Sequence, residues 1–110
     1  MSDELAQRAV ACKGWRWMPG MLACLYREDG TLMGSNRHGN PGPDFLPDLS
    51  DPATRGCLLS LVREAWGDPH VCSGFRQFSL HPVVWVPSQD KHFSGTTEAE
   101  ALIAALEAAP

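Results

Sequence analysis

The stretch from Ser50 to Pro69 constrains the fold most, because it carries both end signals of a helix with an apolar stripe between them. Ser50 or Asp51 can cap the start, since a short side-chain oxygen there accepts from backbone N–H groups that the first turn leaves unpaired. Pro52 falls in that first turn, where its missing N–H costs nothing. Cys57, Leu58, Leu61, Val62, Ala65 and Trp66 then recur at helical spacing and must face a core, and Gly67-Asp68-Pro69 ends the run. Leu59 lies off the stripe, so its exposure would mark a contact surface.

Two further helices flank this one. Ser2 can cap a first helix through Leu5 to Cys12, with Leu5, Ala6, Ala9, Val10 and Cys12 on its inner side and Gly14 as its stop. Thr97-x-x-Glu100 has the pattern of a capping box, and Ala99, Leu102, Ile103 and Leu106 form the inner stripe of the helix that follows it.

Between the helices the pattern turns to strands. Trp15 to Met21 reads as extended chain and a turn, in which Trp15 and Trp17 share a face and Pro19-Gly20 sits at the centre of a type II turn. Met21 to Arg27 is apolar on both alternating faces, as a strand covered on both sides would be. Asp29-Gly30 is a hairpin signal, because the turn needs positive φ, and Thr31-Leu32-Met33 supplies the returning strand. Val71–Leu80 and Val83–Val86 read as a second hairpin turning near His81-Pro82. Pro87 to Gly95 reads as polar turn or irregular edge. The run from 34 to 49 is rich in turn formers and prolines and is the longest expected loop, which makes it a place to look for a partner site.

The resulting order, α-β-β-α-β-β-α, implies an α+β fold: an antiparallel sheet of about four strands, from two hairpins, with three helices packed on it. At 110 residues the chain suits one domain with one core, and 44% hydrophobic against 20% charged residues is a globular balance. No apolar run approaches the roughly 18 residues that span a bilayer, and the acidic start Met1-Ser2-Asp3-Glu4 is unlike a signal peptide. A cytoplasmic protein with no membrane contact is expected, and in that reducing compartment Cys12, Cys24, Cys57 and Cys72 are expected to be buried thiols, not disulfides.

The chemistry-bearing patterns are sparse. His70-x-Cys72 is the one close imidazole–thiol pair, and it lacks both the companion ligands of a zinc site and the orienting partner of a catalytic thiol. No glycine-rich phosphate loop occurs, and the prolines of Gly39-Asn40-Pro41-Gly42-Pro43 remove the donors that would hold a phosphate. No catalytic residue, metal or cofactor is therefore expected. Trp15, Arg16, Trp17, Arg37 and His38 could stack bases and neutralise phosphates of a single strand. The net charge of −4 opposes an extended nucleic-acid footprint, and residues 56–110, with three basic and six acidic groups, carry most of the excess.

Trp15-Arg-Trp-Met-Pro-Gly-Met21, the stretch from Asp48 to Pro69 and that from Thr97 to Ala109 resemble a family of small proteins encoded by tailed bacteriophages and prophages. The resemblance implies origin and carries over no catalytic residue. By analogy with phage accessory proteins of this size, it implies a binder that blocks a host system, in its sharpest version an anti-CRISPR or other anti-defence inhibitor. The expectation is thus a non-enzymatic protein of the bacterial host cytoplasm that binds a host protein or protein complex through Trp15, Arg16, Trp17, Arg37, His38, Phe45 and Leu59. A virion assembly or structural accessory protein and a single-stranded nucleic-acid-binding module are the alternatives.

Overall fold

The computed structural model describes residues 2–36, 45–75 and 81–110. Three helices, α1 (Ser2–Val10), α2 (Pro52–Trp66) and α3 (Glu98–Ala108), combine with six strands: β1 (Ala23–Tyr26), β2 (Leu32–Asn36), β3 (Leu46–Pro47), β4 (Cys72–Phe75), β5 (Pro82–Val86) and β6 (Lys91–Ser94). The α+β class and the order of helices and hairpins are those read from the sequence.

The strands do not merge into one sheet. They form two antiparallel three-stranded sheets, ordered β2-β1-β3 and β4-β5-β6. Each hairpin gains a short third strand on the free side of its inner member, so β1 and β5 are paired on both edges and the hairpins cannot join through them. Both added strands lie where loop was expected. Leu46–Pro47 lies within the 34–49 run, whose start, Gly34 to Asn36, also belongs to β2. Lys91–Ser94 lies within the polar segment 87–95, after a 3₁₀ turn at Pro87–Gln89 and Asp90 at φ 50°. The rest of the 34–49 run up to residue 44, and 76–80 of the expected Val71–Leu80 strand, lie outside the described residues.

The helices begin and end for the local reasons the sequence offers. Asp51, not Ser50, caps α2, its carboxylate accepting from the Thr54 backbone N–H at 3.0 Å, and Gly67 closes the helix at φ 64°. Thr97 caps α3 by accepting from the Glu100 N–H at 3.1 Å. The Glu100 carboxylate accepts in turn from the Thr96 hydroxyl, one residue before the cap. α1 stops at Val10, before the expected Cys12, and the Ser2 side chain lies outside what is described.

α3 is the centre of the molecule. It packs on α2, α1 and all three strands of the β4-β5-β6 sheet, and Ala101, Leu102, Ile103 and Ala105 are fully buried. Its burial therefore extends past the expected stripe, as befits a helix apolar nearly all round. Small side chains let its neighbours approach closely. At Gly95, just before α3, an added Cβ would lie 2.7 Å from Glu100 Cβ and 2.8 Å from the Ala101 nitrogen, so the chain can pass the helix start only without a side chain. Arg8 ties α1 to the far end of α3 through two bonds to Glu107, at 2.7 and 3.1 Å, which hold the Glu107 carboxyl below its ordinary pKa.

The β1–β2 hairpin is held to this body at its base. Thr54, fully buried in α2, accepts from the Leu22 backbone N–H at 2.8 Å and donates to Asp51 at 2.9 Å. Asp48 N–H donates to the Leu22 carbonyl at 2.9 Å. Beyond that base the hairpin becomes a two-stranded arm, β3 reaching only Ala23 and Cys24.

Candidate interaction surface

The expected contact residues divide by where the fold puts them. Trp15 and Trp17 do meet, edge to face with ring centroids 5.4 Å apart, but they lie in irregular chain and are half-buried against the core. Their burial has a sequence cause: Pro19-Gly20 turns the chain back, with Gly20 at φ 97° and Met21 N–H donating to the Met18 carbonyl at 3.1 Å, which folds the indoles onto the body. Arg16 between them is exposed and pairs with Glu64 at 2.8 Å. Leu59 is half-buried and packs on the core, so the surface that its exposure would have marked is not there. Phe45 is half-buried just before β3. Arg37 and His38 lie outside the described residues.

Among the described residues the large apolar side chains in water are others: Leu32 at 54% exposure, Met33 at 55% and Trp85 at 40%. Leu32 and Met33 are adjacent in β2, where the register slips so that Leu32 faces Tyr26, Gly34 faces Leu25 and Met33 is the extra residue between them. Asp29 and Gly30 shape its tip as a tight turn: Gly30 takes φ 89°, Arg27 N–H donates to the Thr31 carbonyl at 2.8 Å, and the Asp29 carboxylate accepts from the Thr31 N–H at 2.9 Å. The Thr31 side chain first, and this backbone N–H second, hold the Asp29 carboxyl below its ordinary range. A register shift between Leu25 and Tyr26 bends the ribbon below the tip. Among the described residues β2 is an edge strand, and its sequence Leu-Met-Gly-Ser-Asn holds neither charge nor proline, the usual protections of an edge.

Trp85 stands on the outer face of the second sheet. Pairing sets Cys72, Trp85 and His92 in one row across β4, β5 and β6, while the neighbouring row of Ser73, Val84 and Phe93 faces α3. The Trp85 indole and His92 imidazole stack nearly parallel, 7° apart with centroids at 5.9 Å. On the inner side Phe93 packs on Trp66, which donates to the Ala105 carbonyl at 2.9 Å. The outer row is not legible in the sequence because Lys91–Ser94, which supplies the partner of Trp85, has no alternating apolar pattern to mark it as a strand.

His70 and Cys72 are both exposed, but His70 lies in the turn before β4 and Cys72 on the strand. The His70 backbone is committed elsewhere: its N–H donates to Asp68 at 2.9 Å. Asp68 is buried and also accepts from the Ser88 N–H at 2.9 Å, so one carboxylate joins the end of α2 to the turn after β5. The Ser88 and His70 backbone bonds hold its carboxyl below the ordinary range, against the opposing effect of burial. Among the described residues no three His, Cys, Asp or Glu side chains converge as a metal site would require. The four cysteines are not joined in disulfides, and only Cys24 is buried; Cys12 and Cys57 are half-buried and Cys72 is exposed, unlike the buried thiols expected. Burial pushes the Cys12 thiol up in pKa, with Glu107 adding to the shift.

No helix among the described residues is long and apolar enough to cross a membrane. Comparison with known proteins finds no matching family model, no matching curated protein and no matching solved structure.

Proposed function

We propose that the protein is a non-enzymatic binding module of phage or prophage origin that docks on a host bacterial protein through the β1–β2 arm. One observation carries this: Leu32 and Met33 expose 54% and 55% of their surface on an uncharged edge strand. Such side chains leave about half of their surface outside the fold, and burying that remainder on a partner would gain on the order of 1 kcal/mol each. An unprotected edge also offers backbone groups to which a partner strand can pair. The origin rests on the phage-like stretches of the sequence, and inhibition of a host defence complex is the sharpest form of the reading.

The test compares the wild type with the Leu32→Glu/Met33→Glu double variant as tagged bait in a bacterial lysate, followed by binding of the purified captured protein. The reading expects one stoichiometric host protein, reconstituted from pure components, whose affinity falls at least about tenfold in the variant. Equal affinity of the two baits overturns the docking surface. Recovery only with virus particles supports the assembly role instead, and salt-sensitive retardation of single-stranded DNA or RNA supports the nucleic-acid reading.

A further inference from the structure

The three helices are not held alike. α2 is tied to the rest of the molecule along its length, by Thr54 to the Leu22 N–H, by Arg63 to the Val71 carbonyl at 2.8 Å and by Trp66 to the Ala105 carbonyl. α3 buries six side chains, Leu102, Ile103 and Leu106 among them. α1 has neither kind of anchor. Among the described residues its only hydrogen-bonded link to the body is Arg8 to Glu107, a pair of exposed side chains. Its buried side chains among those residues are Ala6 and Ala9, whose single methyl groups remove little apolar surface from water, while Leu5 and Val10 are only half-buried.

The packing beneath α1 is incomplete at both ends of its inner face. A cleft of about 650 Å³ is lined by Leu5 and Arg8 on the helix side and by Leu49 and Ala99 on the other. A second, of about 530 Å³, is lined by Arg8 and Cys12 and, across from them, by Ala65 and Leu106. Just past α1 the chain is pinned. At Gly14 an added Cβ would lie 3.1 Å from Leu106 Cδ1 and 3.2 Å from Ala65 Cβ, so the backbone runs close against α3 and α2, and Trp15 and Trp17 pack on the core directly after it. A loosely held segment thus ends at a firmly held point. A helix of nine residues does not persist alone in water, so a release of α1 is a local unfolding and not a rigid swing.

We propose that α1 is a releasable strap: residues 2–13 leave the body as one unit, up to the fixed point at Gly14, while α2, α3 and both sheets stay folded. Release bares the α3 and β3 surfaces on which α1 packs, so the fold carries apolar surface under a removable cover. The Arg8–Glu107 pair is the clasp. Being exposed, it is weakened by salt, and the population of the released form rises with ionic strength. The strap does not rest on the reading of the β1–β2 arm and stands whether or not the arm docks on a host protein.

Hydrogen exchange of the full-length protein under native conditions, repeated in increasing sub-denaturing urea, tests this at the amides of Ala6 to Cys12 and of Ala101 to Leu106. The α1 amides are expected to be protected relative to an unfolded chain, yet at least about tenfold less than those of α3, with a weaker urea dependence because less surface is exposed. Val84→Ala cuts the body away from α1, so it is expected to speed exchange in α3 and leave α1 unchanged. Arg8→Gln is expected to speed α1 exchange about threefold, and added NaCl to do the same in the wild type but less in this variant. Equal protection and equal urea dependence in the two helices, α1 exchange that follows Val84→Ala as closely as α3 does, or α1 amides with no protection at all would each overturn the strap. Unchanged α1 exchange in Arg8→Gln would overturn the clasp. Should Val84→Ala fail to fold, the urea dependence of the wild type decides alone.

Discussion

In α3, Ala101, Leu102, Ile103 and Ala105 give up all contact with water, whereas Leu32 and Met33 in the β1–β2 arm keep more than half of theirs. The helix is surrounded by α1, α2 and the β4-β5-β6 sheet; the arm leans chiefly on β3 and on the buried Thr54 hydroxyl at its base. Apolar residues in the first region are accounted for by folding itself. Those in the second are left over, and an apolar surface that folding does not use is where a contact function can reside.

The contrast is sharpened most by cutting into α3. Leu102→Ala removes a fully buried side chain between a sheet and two helices, so a loss of about 2–5 kcal/mol is expected in chemical denaturation. A loss below 1 kcal/mol would show that the helix is less tightly enclosed than its burial indicates.

Asp68 offers a smaller, pH-dependent cut at the rim of the same body. Its folded-state pKa lies below the ordinary 3.8 because the charged form accepts from Ser88 and His70. The carboxylate therefore contributes stability that is fully present above the unfolded pKa and is lost as pH falls through the folded one. In Asp68→Asn an amide NH₂ must face one of two backbone donors, so the variant is less stable near neutral pH. The gap between wild type and variant should narrow as pH drops below about 4. Glu107 and Asp29 titrate in the same window, and the variant isolates Asp68 from them because both remain in it. A gap independent of pH would remove the carboxylate from the stability of this junction.

What the sequence disclosed follows the same division. α2 was legible to within a residue because Asp51, Pro52 and Gly67 act on their own neighbours, and the cap of α3 and the Asp29-Gly30 turn are local in the same way. The third strand of each sheet was not, because Leu46–Pro47 and Lys91–Ser94 are strands only by virtue of a distant partner, and neither has an alternating apolar pattern of its own. The tryptophans show the same limit. Trp15 and Trp17 stood out by type and spacing, yet the turn at Gly20 folds them onto the body, while Trp85, inside an apolar run, is turned outward by strand alternation. Residue type reported the capacity for contact, and only the packing reported which side chains retain it.

The smallest expected effect on stability is the one that bears most directly on the arm. Leu32→Ala and Met33→Ala remove atoms that are largely in water already, so each should change unfolding free energy by no more than about 0.5 kcal/mol. Hydrogen exchange should separate the two regions further. The amides of Ala101 to Leu106 are expected to exchange only through global unfolding, and those of β2 through a local opening of lower free energy, because among the described residues the arm has few packed neighbours beyond its base. If β2 instead exchanges at the global limit and either alanine variant costs more than 1 kcal/mol, then Leu32 and Met33 already serve the fold. Their apolar surface would no longer be spare, and the case for a partner at the arm would fall with it.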